Sequence, residues 1–211
     1  MNKSLLTLGF GALLLTACGG AEKSEETENE VVDTKEVCKY EYNHDETILT
    51  WTAFKLTDKI AVTGSFDQID VTTNQASEDM YAVVSGASFE IPVSSLNSQD
   101  ETRDPKIKNS FFGVMDSTST IVGSILSLDA NGGKVEITMN GKTVQYDGKV
   151  KVDGEELKFL TEINILDFDG QEAMDSLGVV CEAKHTGPDG VNKLWSEVEI
   201  AVKTTFTKTC E

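Results

Sequence analysis

From Leu49 onward, apolar side chains recur at every second position. Leu49, Trp51 and Ala53 share one face of a strand, while Thr50 and Thr52 take the other. The same period runs through Ile60, Val62, Gly64 and Phe66, through Phe89, Ile91 and Val93, and through Val135, Ile137 and Met139. It continues in Val144, Tyr146, Gly148, Val150 and Val152, in Phe159, Thr161, Ile163 and Ile165, and in Val198, Ile200 and Val202. Intervening positions are often charged, as at Lys149, Lys151, Glu197, Glu199 and Lys203. One buried and one wet face per strand is the pattern of antiparallel sheet. Asn131-Gly132-Gly133, Asn140-Gly141 and Asp153-Gly154 supply turns that tolerate positive φ. Residues 120–166 are therefore predicted to form a meander of hairpins. Seven or eight such strands in succession favour a barrel or sandwich.

Two segments break the period. In residues 167–190, Ala173, Leu177, Val180, Cys181 and Lys184 fall at helical spacing. Asp169 stands three before Glu172 as a capping box, and Gly187-Pro188 ends the run. This predicts one helix, about 171–185, packed over the barrel wall or one of its ends. The second segment is "DETRDPKIKNSFFGVM", residues 100–115, where a charged run leads straight into Phe111 and Phe112. A half-buried strand would cover only one of two adjacent rings.

The N-terminal residues read as a processed leader. Lys3 supplies a positive start, and Leu5–Leu15 form an apolar stretch too short for a permanent span, so 1–17 is a predicted signal peptide. Leu15-Thr16-Ala17-Cys18, followed by Gly19-Gly20, resembles a bacterial lipobox. That resemblance implies cleavage before Cys18 and acylation of its sulfur. Two or three acyl chains anchor a protein stably without a spanning helix. Residues 18–36 are rich in Glu, Ser and Thr and lack aromatics, as expected of a lipidated, acidic, disordered tether. Ser24-Glu25-Glu26 within it is similar to acidic signals that send some lipoproteins to the cell surface, though a solvated spacer is the favoured reading. The expected location is the bacterial cell envelope, on the periplasmic or outer-membrane face or at the cell surface. Residues 37–211 then form one domain, long enough for a real core.

Charge and chemistry narrow the functional classes. Without Lys3, the chain carries 17 basic residues against 36 acidic ones, a formal charge of −19. This argues against nucleic acid as a partner and against charge-driven binding to anionic lipid. The sequence contains no G-x-S-x-G, no Walker-type glycine loop and no G-x-G-x-x-G. Cys181 and His185 are four apart on the predicted helix, a possible metal-ligand pair. No second pair accompanies them, so a buried or bridged cysteine beside a surface histidine is expected instead. Asp129 with Asn131 reads as turn chemistry, and Asp167 with Asp169 as a helix cap. No catalytic residue, metal or cofactor is assigned, and the chain is read as a non-enzyme.

The opening run now becomes specific. Ile91-Pro92-Val93-Ser94-Ser95-Leu96-Asn97-Ser98, then Arg103-Asp104, Ile107 and Phe111-Phe112, resembles the hallmark of the YceI-like family. Trp51-x-Ala53 with Val62-x-Gly64-x-Phe66 is similar to that family's first hairpin. Met139-Asn140-Gly141-Lys142-Thr143-Val144 is similar to its G-x-T hairpin, and Asp167-Phe168 to its late D-F pair. The matches cover about 40–206. Departures are Lys55 where a His commonly ends the first strand, Ile165 where an Arg is usual, and the extra helical region with its cysteines.

The resemblance implies an all-β fold: an eight-stranded, antiparallel, lipocalin-like barrel holding an isoprenoid or other long apolar lipid, such as a polyprenyl quinone tail. The expected inward, ligand-contacting set is Trp51, Val62, Phe66, Ile91, Val93, Phe111, Phe112, Ile137, Met139, Tyr146, Val150, Phe159, Ile163, Ile200 and Val202. The polar run becomes a loop with a helical turn opened by Pro105, and one Phe faces the interior while the other lies against the rim. A filled barrel serving as an envelope interaction or stress-response module is the alternative function. In a closed barrel the first and last strands are antiparallel neighbours, which favours a Cys38–Cys210 disulfide and leaves Cys181 a buried thiol. Cys38–Cys181 is the rival pairing.

Overall fold

Turn residues set the hairpins. Asn140 and Gly141 adopt φ of 51° and 67°, and Gly154 adopts 60°, so the right-handed twist of the flanking strands passes through two tight reversals. The computed structural model describes residues 36–211; the expected signal peptide, Cys18 and the tether up to residue 35 lie outside them.

In chain order the elements are β1 (Cys38–Glu41), β2 (Thr47–Lys55), β3 (Ile60–Phe66), β4 (Asp70–Thr72) and α1 (Met80–Val84). Next come β5 (Ser88–Pro92), β6 (Leu96–Asn97), α2 (Asp104–Ser110), β7 (Thr120–Asp129), β8 (Gly132–Met139) and β9 (Lys142–Asp153). The chain finishes with β10 (Glu156–Asn164), α3 (Gln171–Val180), α4 (Glu182–His185), β11 (Leu194–Thr205) and β12 (Thr207–Cys210).

Ten strands form one curled antiparallel sheet in the order β4-β5-β7-β8-β9-β10-β11-β2-β3-β6, and β1 pairs separately with β12. The segment count is therefore ten, against the eight expected. Residues 67–69 interrupt the ladder between β3 and β4, and a 3-10 turn at Val93–Ser95 separates β5 from β6. Pro92 contributes to this break, since it has no N–H to donate. The meander expected over 120–166 is present as β7 to β10, with unshifted registers such as Val135↔Tyr146 and Phe159↔Val150.

Two bulges disturb the alternation. In β7 the register shifts between Ile125 and Ser127, which turns Leu126 outward and Leu128 inward. In β11 it shifts between Leu194 and Val198.

The helical region also differs from its expectation. Two helices replace one, because the chain leaves helical geometry at Cys181, where φ is −115° and ψ is 14°. Asp169 is not the cap of α3. It takes a left-handed φ of 54° at the end of the preceding 3-10 turn, and its carboxylate pairs with Lys142 at 2.9 Å. α1 has no counterpart in the sequence reading, because its apolar run of five residues is too short to show a helical period. Asp79 starts it, accepting a hydrogen bond from the Tyr81 N–H.

The ends of the sheet differ. At one, Met80, Val83, Val84, Leu128, Leu157 and Phe206 form a buried cluster beneath α1. The β1–β12 ribbon lies beside it, with Tyr40 edge-on to Phe206, and the Cys38–Cys210 disulfide crosses the paired positions. Cys181 is a buried free thiol, so the rival pairing is ruled out. At the other end lie α2, α3, α4 and the β2–β3 hairpin.

Candidate functional site

The inner wall begins with the glycines that face inward. Gly64 is the cross-strand partner of Trp51, and Gly123 that of Phe89. A side chain at Gly64 would overlap the Trp51 indole, one at Gly123 the Phe89 ring, and one at Gly148 the Phe159 ring. Large rings therefore lie flat along the sheet over residues that have no side chain. They line the interior without filling it.

The result is an apolar cavity inside the curl, in which the centre of a water-sized sphere can move through about 260 Å³. Its few polar atoms are mostly engaged by the protein itself. The Thr47 and Thr204 hydroxyls lie 2.8 Å apart, and the Thr161 hydroxyl donates to the Asp147 carbonyl at 2.8 Å. The Trp51 and Trp195 indoles donate to the carbonyls of Ser65 and Leu56. Of the residues that line the cavity, only Tyr42 has a buried polar atom, its hydroxyl, without a partner among the described residues. Burial holds its pKa above the ordinary tyrosine value. Such a wall offers hydrocarbon its dispersion contacts and offers water almost no hydrogen bonds.

The charged run of residues 98–104 leads into α2, whose Ile107 lines the cavity. Ser98 is almost fully buried, and its N–H and hydroxyl both donate to Asp104 Oδ1. Arg103 donates in turn to the Ser98 hydroxyl through Nε and to the Ser98 carbonyl through its guanidinium. This knot pins the start of α2, with Pro105 in its first turn. At the other end of α2, Phe111 is the C-cap and Phe112 begins a 3-10 turn. Helical geometry, unlike a strand, lets neighbouring residues face the same side, so both rings line the cavity. They meet edge to face at 5.0 Å between centroids, and Phe66 packs on Phe112 at 6.4 Å.

Of the expected inward set, Trp51, Phe66, Ile91, Phe111, Phe112, Ile137, Met139, Phe159, Ile163, Ile200 and Val202 line this cavity. Four residues do not. Val93 leaves the strand with the 3-10 turn and faces a separate, open cleft beside Phe112 and Met115. Val62 packs against the core beside Ala53, next to the indole that covers Gly64. Val150 is paired with Phe159 and packs with it against the end cluster. Tyr146 is not among the lining residues; its hydroxyl donates to Asp167 at 2.9 Å, with the Asn164 carbonyl 3.3 Å away, and its ring packs against Phe168. Burial and the Asp167 carboxylate raise its pKa well above the ordinary tyrosine value.

The sequence reading also missed part of the lining. Ile121, Ile125 and Leu128 belong to it; Ile121 and Ile125 keep the period of two across Gly123, and the β7 bulge beyond Ile125 puts Leu128 out of that period. Ile107, Met174 and Leu177 come from α2 and α3, and Trp195 from the irregular start of β11. His185, expected at the surface, is 8% exposed, and its Nδ1 has no partner among the described residues. Burial, with the nearby charges of Lys55 and Lys106, pushes its pKa down to about 4. Among the described residues, no three His, Cys, Asp or Glu side chains converge as metal ligands would.

A YceI-like domain model matches residues 40–206. The chain belongs to the YceI-like family. No curated protein sequence matches this YceI-like chain. Among solved structures, a polyisoprenoid-binding domain from Saccharophagus degradans, implicated in plant cell wall breakdown, is 12% identical. The match covers 83% of this chain and 100% of that one, with a TM-score of 0.54. BcnA from Burkholderia cenocepacia is 14% identical over 80% of this chain and 99% of its own, with a TM-score of 0.51. At these identities the likeness concerns the YceI-like fold alone.

Proposed function

We propose that this YceI-like protein is an extracytoplasmic lipoprotein that holds one long apolar lipid, of isoprenoid type, inside its sheet. The carrying observation is the cavity wall: aromatic rings laid over glycines leave an apolar space whose polar neighbours are nearly all satisfied within the protein. Family membership supports the same reading, as does a structural neighbour described as polyisoprenoid-binding. A closed, eight-staved barrel is the corresponding architecture. It is supported by pairing of β3 with β6 and β4 with β5, which makes two interrupted staves of four short strands.

Native mass spectrometry of protein extracted in mild detergent tests this reading. A retained hydrophobic molecule of defined mass is expected, and a bare protein mass would favour a barrel without ligand. Membrane attachment through Cys18 is tested separately. Cys18→Ser should move the protein into the soluble fraction and abolish labelled palmitate incorporation; a variant still sedimenting with membranes, and a wild type without label, would overturn the anchor.

A further inference from the structure

Exposed apolar side chains gather at the helical end of the sheet. Val179 and Val180 close α3, Val191 lies in the loop before β11, and Ile60 begins β3; all four are exposed, Val179 at 74%. Hydrogen bonds sew these segments together. The Asn192 side chain donates to the Gly178 carbonyl at 3.1 Å, the Thr57 hydroxyl to Asp189 at 2.7 Å, and the Leu56 N–H to the Lys193 carbonyl at 3.0 Å. Apolar residues scattered singly over a surface are ordinary, but a group held together marks a face that meets something apolar.

Three observations name that partner as a lipid bilayer. The elements that carry the patch also line the cavity from within, through Leu177 of α3, Phe54 of β2, and Leu194 and Trp195 of β11. The outer patch and the apolar lumen are therefore two sides of one wall. Lys59 and Lys193 lie over the Trp195 ring, at 5.1 and 4.9 Å from its centroid. An indole flanked by long-stemmed cations suits the boundary between headgroups and hydrocarbon. The third observation is the length of chain before the fold. The fold starts at the opposite end, in the disulfide-linked ribbon. At ~3.3 Å per residue the chain from Cys18 to Glu36 can span up to ~60 Å, whereas the 12-residue strands β9 and β11 are ~40 Å long. An anchor at Cys18 thus lets the helical end reach the membrane. We infer that the face formed by Ile60, Val179, Val180 and Val191 seats on the bilayer to which the protein is anchored. The chain is strongly acidic, so this contact is apolar and needs no anionic lipid.

This inference rests on the lipid-binding and anchor readings above, and the test separates them. The full chain, in a Cys181→Ala background, carries one nitrobenzoxadiazole probe at Val191→Cys or, as control, at Ile48→Cys, an exposed position near the other end of β2. It is inserted into preformed dioleoylphosphatidylcholine vesicles, and dithionite in the medium bleaches whichever probe it reaches. The probe at position 191 should bleach at least about tenfold more slowly than the one at 48, because an apolar face seated at the interface sinks below the headgroups. V179D/V180D should bring the two rates together, with circular dichroism reporting that it folds; rates that stay apart would overturn the assignment of the face. Equal rates without these substitutions would overturn the docking face, while a lipid retained in native mass spectrometry would leave the lipid-binding reading standing. A slow probe at 191 on a protein of bare mass would keep the face and overturn the lipid. Protein that fails to float with the vesicles would overturn the anchor and the face together. Shielding that occurs without vesicles and grows with protein concentration would assign the patch to a second copy of the chain and overturn the bilayer.

Discussion

Gly64→Ala is the substitution for which local propensity and tertiary structure give opposite signs. Gly64 is within β3 and outside the residues with positive φ, so alanine fits the backbone. Lower unfolded-state entropy would then stabilise the variant by ~0.4–1 kcal/mol. The structure opposes this. A methyl group there would overlap the Trp51 indole and come to 2.9 Å from the Asn97 carbonyl oxygen. The indole must swing inward, which costs ~1–3 kcal/mol as overpacking. It also loses its 3.3 Å hydrogen bond to the Ser65 carbonyl, worth ~1 kcal/mol. The net loss is ~1–3 kcal/mol, or roughly 3–10 °C in Tm for a domain of this size. Thermal unfolding by circular dichroism measures it, and tryptophan emission and lipid capacity report the displaced ring. In a Trp51→Leu background the cost of Gly64→Ala should shrink by ~1 kcal/mol or more, because the two residues couple through one contact. A variant that melts at or above wild type, or an equal cost in both backgrounds, would refute the account of the wall.

Two further outcomes follow from other parts of the fold. Replacing Cys38 and Cys210 by serine opens a loop with a sequence separation of 172, which should cost ~5 kcal/mol in the chain-entropy model. Urea unfolding measures this, and a loss below ~1 kcal/mol would contradict it. His185 titrates at about 4 when folded, against an ordinary value of 6.5. The unfolded chain therefore takes up the proton first, and stability falls as pH drops from 6.5 to about 4, by up to ~3 kcal/mol. Lys55 and Lys106 are the charged groups opposing that proton. The stability difference between wild type and His185→Gln isolates this dependence from the carboxylates, and a difference constant between pH 7 and 4 would refute it.

Much of the wall was legible because a strand has only two faces. Once Leu49, Trp51 and Ala53 are known to face inward, period two carries the assignment along the strand. Hence Ile137, Met139, Ile163, Ile200 and Val202 were placed in the lumen by alternation. The same rule failed wherever the ladder broke. Val93 is lost to a 3-10 turn, and Ile125 and Leu128 are separated by a bulge. Whether a chain bulges depends on its partner strand as well as on its own residues. Asp169 shows a similar competition. Its spacing to Glu172 fits a capping box, but a tertiary partner, Lys142, and a left-handed backbone took it elsewhere.

The class of fold, the order of the hairpins, the apolar character of the wall and the turn chemistry at Asn140-Gly141 are all readable along the chain. These depend on side-chain period and local φ preference, which act over a few residues. That rings lie across inward glycines and leave a cavity, and that Phe111 and Phe112 both face it, emerges only from the folded arrangement. It alone set the charges of Lys55 of β2 and Lys106 of α2 near His185 of α4, and joined cysteines 172 residues apart. Those outcomes depend on which distant segments become neighbours when the sheet curls, and no local pattern encodes that distance.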